Sequence, residues 1–301
     1  MPEWKGQTEG GDVNQSVLIR ILKRVDIRVI YCFLPFVVLY YLIFKRKRAR
    51  SIYLYLRRIQ GWSYFRAKWG TYRNHVLFGK FLIDRFYVYA GHKDRFIVDG
   101  LEKDLVFKYF NTEKPLVMMS AHLGNFEISS YLCGHLPKKL NVLVFGGETK
   151  QMLRLRRLAM QGNNIKMIMV NEDMEHIFHI NDVIRDCEAI TLTGDRTFTG
   201  RRNHTYEFLG RKAVFPTGIY NIADRYNADI IAMFVLGTKK NFHYKVHVEP
   251  ISIDPQIKGR EARAAAYGQK YVEILERIVK ENPLQWFNFY DFWNLEGNAQ
   301  D

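Results

Sequence analysis

Cysteine is scarce in this chain: three in 301 residues, at Cys32, Cys133 and Cys187. Their spacing suits neither a disulfide framework nor a thiolate metal site, so reduced thiols facing the cytoplasm are expected. Acidic residues are also short, 31 Asp and Glu against 45 Lys and Arg, a formal net charge of +14. That balance draws the chain to phosphate-rich partners: an anionic membrane surface, a nucleic acid or an acidic carrier protein. Internal repeats, low-complexity tracts and long linkers are missing. One domain with an N-terminal extension is the simplest organisation, with 1–60 as a membrane-anchoring helical segment and 61–301 as the main domain.

The extension helps to choose among those partners. "RVIYCFLPFVVLYYLIFKRKRAR" (28–50) holds about 16 uninterrupted apolar residues, a little short of the ~20 a spanning helix needs. No small-residue cleavage site follows it, which speaks against a secretory signal. Arg20, Lys23, Arg24 and Arg28 precede the run, and Lys45 to Arg48 and Arg50 follow it. Positive charge on both flanks does not match a simple spanning topology. A helix dipping into one leaflet, or spanning weakly, suits the pattern better, with a buried core helix as the alternative. Residues 47–90 then mix aromatics (Tyr53, Tyr55, Trp62, Tyr64, Phe65, Trp69, Tyr72) with Arg57, Arg58, Arg66 and Lys68. Such a face suits a membrane interface and would also stack on single-stranded nucleic acid.

From about residue 115 short apolar runs take over: 115–121, 140–146, 165–170 and 189–195. They read as strands buried on both faces, separated by helix-like stretches near 125–135, 149–161 and 174–187. The expected fold is therefore α/β, a mostly parallel central sheet flanked by helices, with the N-terminal membrane-associated helical segment attached. "DIIAMFVLG" (229–237) and the alternating run at 242–253 read as a hairpin through Thr238–Asn241, and 260–281 as an amphipathic helix stopped by Pro283.

"MMSAHLGNFEISS" (118–130) puts His122 and Glu127 five positions apart where the first of these strands ends. Binding crevices of open α/β sheets lie just beyond strand carboxyl ends, and Gly124-Asn125 signals a turn into a helix. On a continuous helix, residues five apart project about 140° apart, so a pairing depends on that turn. With it, a carboxylate can sit beside one imidazole nitrogen and leave the other as a base. By itself the spacing is more often that of a structural pair. His176 and His179 lack a third fixed ligand and read as a solvated helix rather than a metal site.

"SAHLGNFE" resembles the His-x-Gly-x-aromatic-Glu block of the lipid A biosynthesis acyltransferases, within the lysophospholipid acyltransferase superfamily. "TGDRTFTG" (193–200), "EFLGRKAVFPTGIYNIA" (207–223) and "NPLQWFNFYDFW" (282–293) are similar to further blocks of that family, in the same order. The opening "PEWKGQTEGGD" and the basic-flanked apolar helix match its layout. Departures fall at Ala232-Met233, at Asn288 to Asp291 and at Arg196. The resemblance implies transfer of a fatty acyl chain from an acyl carrier protein or coenzyme A thioester to a lipid acceptor. It takes place at a membrane surface, on the cytoplasmic face of the inner membrane, with no cofactor, no metal and no nucleic acid.

In that chemistry His122 deprotonates the acceptor hydroxyl and Glu127 orients and stabilises the imidazolium. Gly124, Asn125, Asp195 and Arg196 are expected to line the substrate site: Gly124 and Asn125 shape the turn, Asp195 closes a strand end, and Arg196 is a candidate for the oxyanion, a plain Asp–Arg surface pair being the alternative. Lys150, Arg154 and Arg157 recur at i, i+4 and i+7 on one helical face, for an acceptor phosphate or an acidic carrier, a solvated face being the alternative. Phe215, Pro216 and Gly218 read as a turn lining the acceptor cleft, or as a purely structural turn. Cys133 reads as core. The rival classes are acylation of another lipid-like acceptor, such as a membrane lipid or pigment, and a non-catalytic basic protein binding membranes or nucleic acid.

Overall fold

The computed structural model describes residues 12–44, 46–100, 103–128, 136–145, 150–160, 164–170, 175–197 and 202–295. The expected roles of Cys133 and of the opening eleven residues lie outside these, as does the part of the 125–135 helix beyond Ile128.

Among the described residues, seven strands form one sheet: β1 (Ile97–Asp99), β2 (Leu116–Ser120), β3 (Leu140–Phe145), β4 (Ile165–Val170), β5 (Ala189–Thr193), β8 (Asp229–Gly237) and β9 (His243–Pro250). Their spatial order is β1-β9-β8-β2-β5-β3-β4. Every pairing is parallel except β8 with β9, which run antiparallel as the expected hairpin. Two further strands, β6 (Asn203–Phe208) and β7 (Arg211–Pro216), form a separate antiparallel hairpin. Leu209 and Gly210 both take positive φ, 53° and 76°, as a two-residue turn matching the strand twist requires.

Continuous apolar runs became strands because the sheet is covered on both faces. All five residues of β2 are buried, and they divide by alternation: Val117 and Met119 point into one core, Leu116 and Met118 into the other. β8 divides the same way, Ala232 and Phe234 against Met233 and Val235. Helix Arg260–Glu281 covers the first face with Tyr271, Val272, Leu275 and Val279. Helix His176–Arg185 belongs there too, and His176 is buried at its first position while His179 is exposed, so only half of this pair is solvated.

Helix Tyr64–Tyr89 runs along the other side and lies between the sheet domain and the apolar helix Ile27–Phe44. Toward the domain, Asn74 donates to the carbonyls of Leu284 and Trp286, and Phe81 packs on Tyr244 and Phe287. Ile52, Tyr55 and Leu56, before the long helix, belong to the same core as Trp286 and the strands. Leu56 is fully buried. Leu56→Ala should therefore destabilise the whole domain by about 2–5 kcal/mol, the range for truncating a buried leucine. Chemical denaturation with a single transition would measure it, and an unchanged midpoint would detach this segment from the core.

Candidate active site

Parallel pairing of β2 with β5 sets Ser120 opposite Thr193. Two residues further along each chain, just past the carboxyl ends, come His122 and Asp195. Asp195 is 2% exposed and accepts three hydrogen bonds. His122 donates from its backbone N–H to Oδ2 at 2.9 Å, Trp286 donates its indole Nε1–H to Oδ2 at 3.1 Å, and His122 Nδ1 lies 2.8 Å from Oδ1. Burial alone would raise the Asp195 carboxyl. The His122 contacts and the Arg196 cation outweigh it and hold the carboxyl at about 2. A charged acceptor on Nδ1 places the ring proton there and leaves the Nε2 lone pair free to take a proton. Burial and then Arg196 lower the His122 pKa, against the opposing pull of Asp195 and Glu127. The imidazole is thus neutral at pH 7, the form a base requires. It is 18% exposed, so solvent-side access remains.

The turn after His122 is anchored at each step. Phe287 N–H donates to the His122 carbonyl at 2.7 Å, Gly124 N–H to the Gln285 carbonyl at 2.9 Å, and Asn125 N–H to the Val235 carbonyl at 2.7 Å. Gly124 takes φ +65°, and a Cβ there would collide with the Val235 carbonyl oxygen. Asn125 is buried and donates to the Tyr244 hydroxyl at 3.0 Å. Tyr244 and Tyr31 both donate to Asp84, whose carboxyl burial pushes up to about 6 despite these bonds. A chain of side chains thereby runs from the catalytic-turn candidate to Tyr31 on the apolar helix.

Glu127 does not supply the His122 Nδ1 partner expected of it. Its carboxylate is buried between Arg85 and Arg156, with Arg156 Nη2 at 2.9 Å and the Tyr89 hydroxyl at 3.3 Å. These cations and hydrogen bonds keep its carboxyl below the ordinary range although burial acts to raise it. The physical reason is the turn itself: it sends His122 toward β5, whereas Glu127, in the first turn of the following helix, meets helices Tyr64–Tyr89 and Lys150–Met160. Arg85 and Arg156 were not singled out from the sequence. A signal existed for Arg156, which shares the inward period of Leu153 and Met160, while Arg154 and Arg157 fall on the exposed face.

Arg196 is adjacent to Asp195, with its guanidinium 5.7 Å from the Tyr290 ring centre, so two of the departures from the family pattern meet. Phe126 sets its ring edge against His122 at 5.3 Å. Phe215 is a core residue between Phe208 and Tyr271. Pro216 ends β7, and Gly218 opens helix Gly218–Arg225.

Fold and site together define an α/β protein with a histidine held by a buried carboxylate at the carboxyl edge of its mostly parallel sheet. Residues 79–294 match the family described as bacterial lipid A biosynthesis acyltransferase, more than half of the chain. The chain belongs to that family, and it is an acyltransferase acting on lipid-like acceptors. No curated protein matches it.

Two outcomes follow from this geometry. Asp195→Asn should lower turnover by about 10²–10⁴-fold, the usual contribution of a positioned base. It also removes a charge that raises the His122 pKa, so the acid limb of kcat/KM should move to lower pH; a limb moving upward would contradict the pairing. Glu127→Gln leaves two buried guanidiniums without their anion and should cost about 3–5 kcal/mol of stability, read by denaturation. Because the folded Glu127 pKa is depressed, that stability is present above the ordinary carboxylate range and is lost as pH falls below it.

Proposed function

We propose that this protein transfers a fatty acyl chain from an acyl carrier protein or coenzyme A thioester to a hydroxyl of a lipid A precursor or related glycolipid, on the cytoplasmic face of the inner membrane. The observation that carries this reading is the His122–Asp195–Trp286 arrangement, which leaves a neutral imidazole with Nε2 available. In the reaction Nε2 takes the acceptor hydroxyl proton as the oxygen attacks the thioester carbon. Asp195 stabilises the resulting imidazolium, and the Arg196 cation faces the oxyanion. Collapse breaks the C–S bond, and the imidazolium returns its proton to the departing thiolate, giving ester and thiol. Glu127 serves as a positioning residue through Arg85 and Arg156. Pro216 and Gly218, both half-buried, line the turn at the acceptor cleft, with the Phe215 side chain packed in the core behind it.

Arg154 and Arg157 are exposed on helix Lys150–Met160, where an acidic carrier or acceptor phosphate can reach them. Reversing both charges should raise KM for one substrate, with the rise shrinking in high salt. An unchanged KM for both substrates assigns them to a solvated face.

The decisive experiment is lipid mass spectrometry of cells with and without the gene, rescued by the wild type or by His122→Ala. The expected result is one acylated glycolipid that is lost without the gene and not restored by His122→Ala. Restoration by that variant would remove His122 from the chemistry. A change confined to other lipid classes would reassign the acceptor.

A further inference from the structure

The apolar helix Ile27–Phe44 is 18 residues long with a mean hydropathy of 2.1, enough by length and composition to cross a membrane. Its exposed residues, however, keep to one half of the helix circumference: Val29, Phe33, Phe36, Val37, Leu39, Tyr40, Ile43 and Phe44, with Arg28 and Cys32 at one margin. Phe36 is 72% exposed. The opposite side is packed from Tyr31 to Tyr41 against helix Tyr64–Tyr89, running antiparallel. Tyr31 meets Asp84, a Cβ on Gly79 would strike Leu34, Tyr72 reaches the Pro35 carbonyl, and Tyr41 contacts His75. The helix is therefore mounted broadside on the domain.

That mounting conflicts with a spanning pose. Nine residues of helix from His75 to Asp84 rise about 14 Å, and a helix standing along the bilayer normal would carry this stretch, and the sheet edge beside it, to hydrocarbon depth. Lys80 lies in that stretch and donates to Asn241 at 2.8 Å, which brings the exposed Lys239 and Lys240 of the β8–β9 turn to the same level. Each such charge at the bilayer centre costs about 2.5–3.5 kcal/mol. Lying flat, the same helix buries its exposed face about 5–10 Å deep and leaves every charge in the headgroup layer. Arg20, Lys23 and Arg24 at one end and Arg50 at the other are exposed and suit anionic headgroups. Antiparallel pairing directs Phe44 toward the end of the long helix where Phe65, 81% exposed, and Trp69 project, an aromatic edge for the interface.

We infer that Ile27–Phe44 does not cross the bilayer but lies in the plane of one leaflet of an anionic membrane, both basic flanks on the same side. This rests on the reading of the protein as a membrane-bound acyltransferase and specifies how it is seated.

The test adds full-length protein, with Cys32, Cys133 and Cys187 changed to Ser, to preformed phosphatidylethanolamine–phosphatidylglycerol vesicles. Lys23→Cys and Arg50→Cys should each react with a membrane-impermeant maleimide equally before and after permeabilisation. Nitroxides on Phe33→Cys, Phe36→Cys, Tyr40→Cys and Phe44→Cys should report one shallow depth. Protection of either flank until permeabilisation, or a depth profile peaking mid-helix, would overturn the flat pose. A lipid-free dimer with close label–label distances across this face would assign it to a second copy. Failure to bind vesicles while acyl transfer persists would end the membrane seat and leave the acyltransferase reading standing.

Discussion

A single buried carboxylate holds the site together. Asp195 takes hydrogen bonds from the backbone and ring of His122 and from the Trp286 indole, segments 73 and 91 residues away in sequence. An ionised group this deep survives because three donors and the neighbouring Arg196 cation stabilise its charge. The arrangement fixes more than a tautomer. It closes the end of β2 onto β5 and draws the C-terminal segment across both, where Leu123 bridges to Trp286. Removing the charge would loosen the place where three parts of the chain are joined.

Around that joint the second electrostatic unit, Glu127 with Arg85 and Arg156, plays a different part. One anion between two buried cations is a structural tie between the turn, the long helix and helix Lys150–Met160. The His-x-x-x-x-Glu spacing therefore places two separate contacts on opposite sides of one glycine turn. Short spacing in sequence and direct contact are separable whenever a turn of this sharpness intervenes.

Much of this was legible in the sequence. Strands buried on both faces announce themselves as apolar runs, and the β8–β9 hairpin by its alternation. His122 was legible because it follows such a run and precedes a glycine turn. Asp195 is legible as a strand end, but its contact with His122 depends on β2 and β5 being neighbours in register, which apolar runs do not encode. Arg85 sat among aromatic and basic residues of a helix that looked like an interface, and its partner is 42 positions away. The distinctive turn at Phe215 suits a cleft lining or a structural turn alike, and its side chain fills the core between Phe208 and Tyr271. Local pattern reports burial and turns well; it reports long-range ion pairs poorly, since any buried charge reads as a surface one until its partner is found.

The chain of polar groups from Asn125 through Tyr244 and Asp84 to Tyr31 limits how this protein can vary. Replacing Tyr244 by phenylalanine would remove one donor from the Asp84 carboxylate and the better acceptor of the Asn125 amide at once, and replacing Asp84 by an apolar residue would leave both tyrosine hydroxyls without their acceptor. No single step out of this arrangement is cheap, whereas a joint exchange of Asn125, Asp84 and both tyrosines for apolar side chains of similar volume leaves no buried polar group unpaired and costs far less. Drift at these positions should then be concerted: either the full set is present, or all of it has been exchanged together.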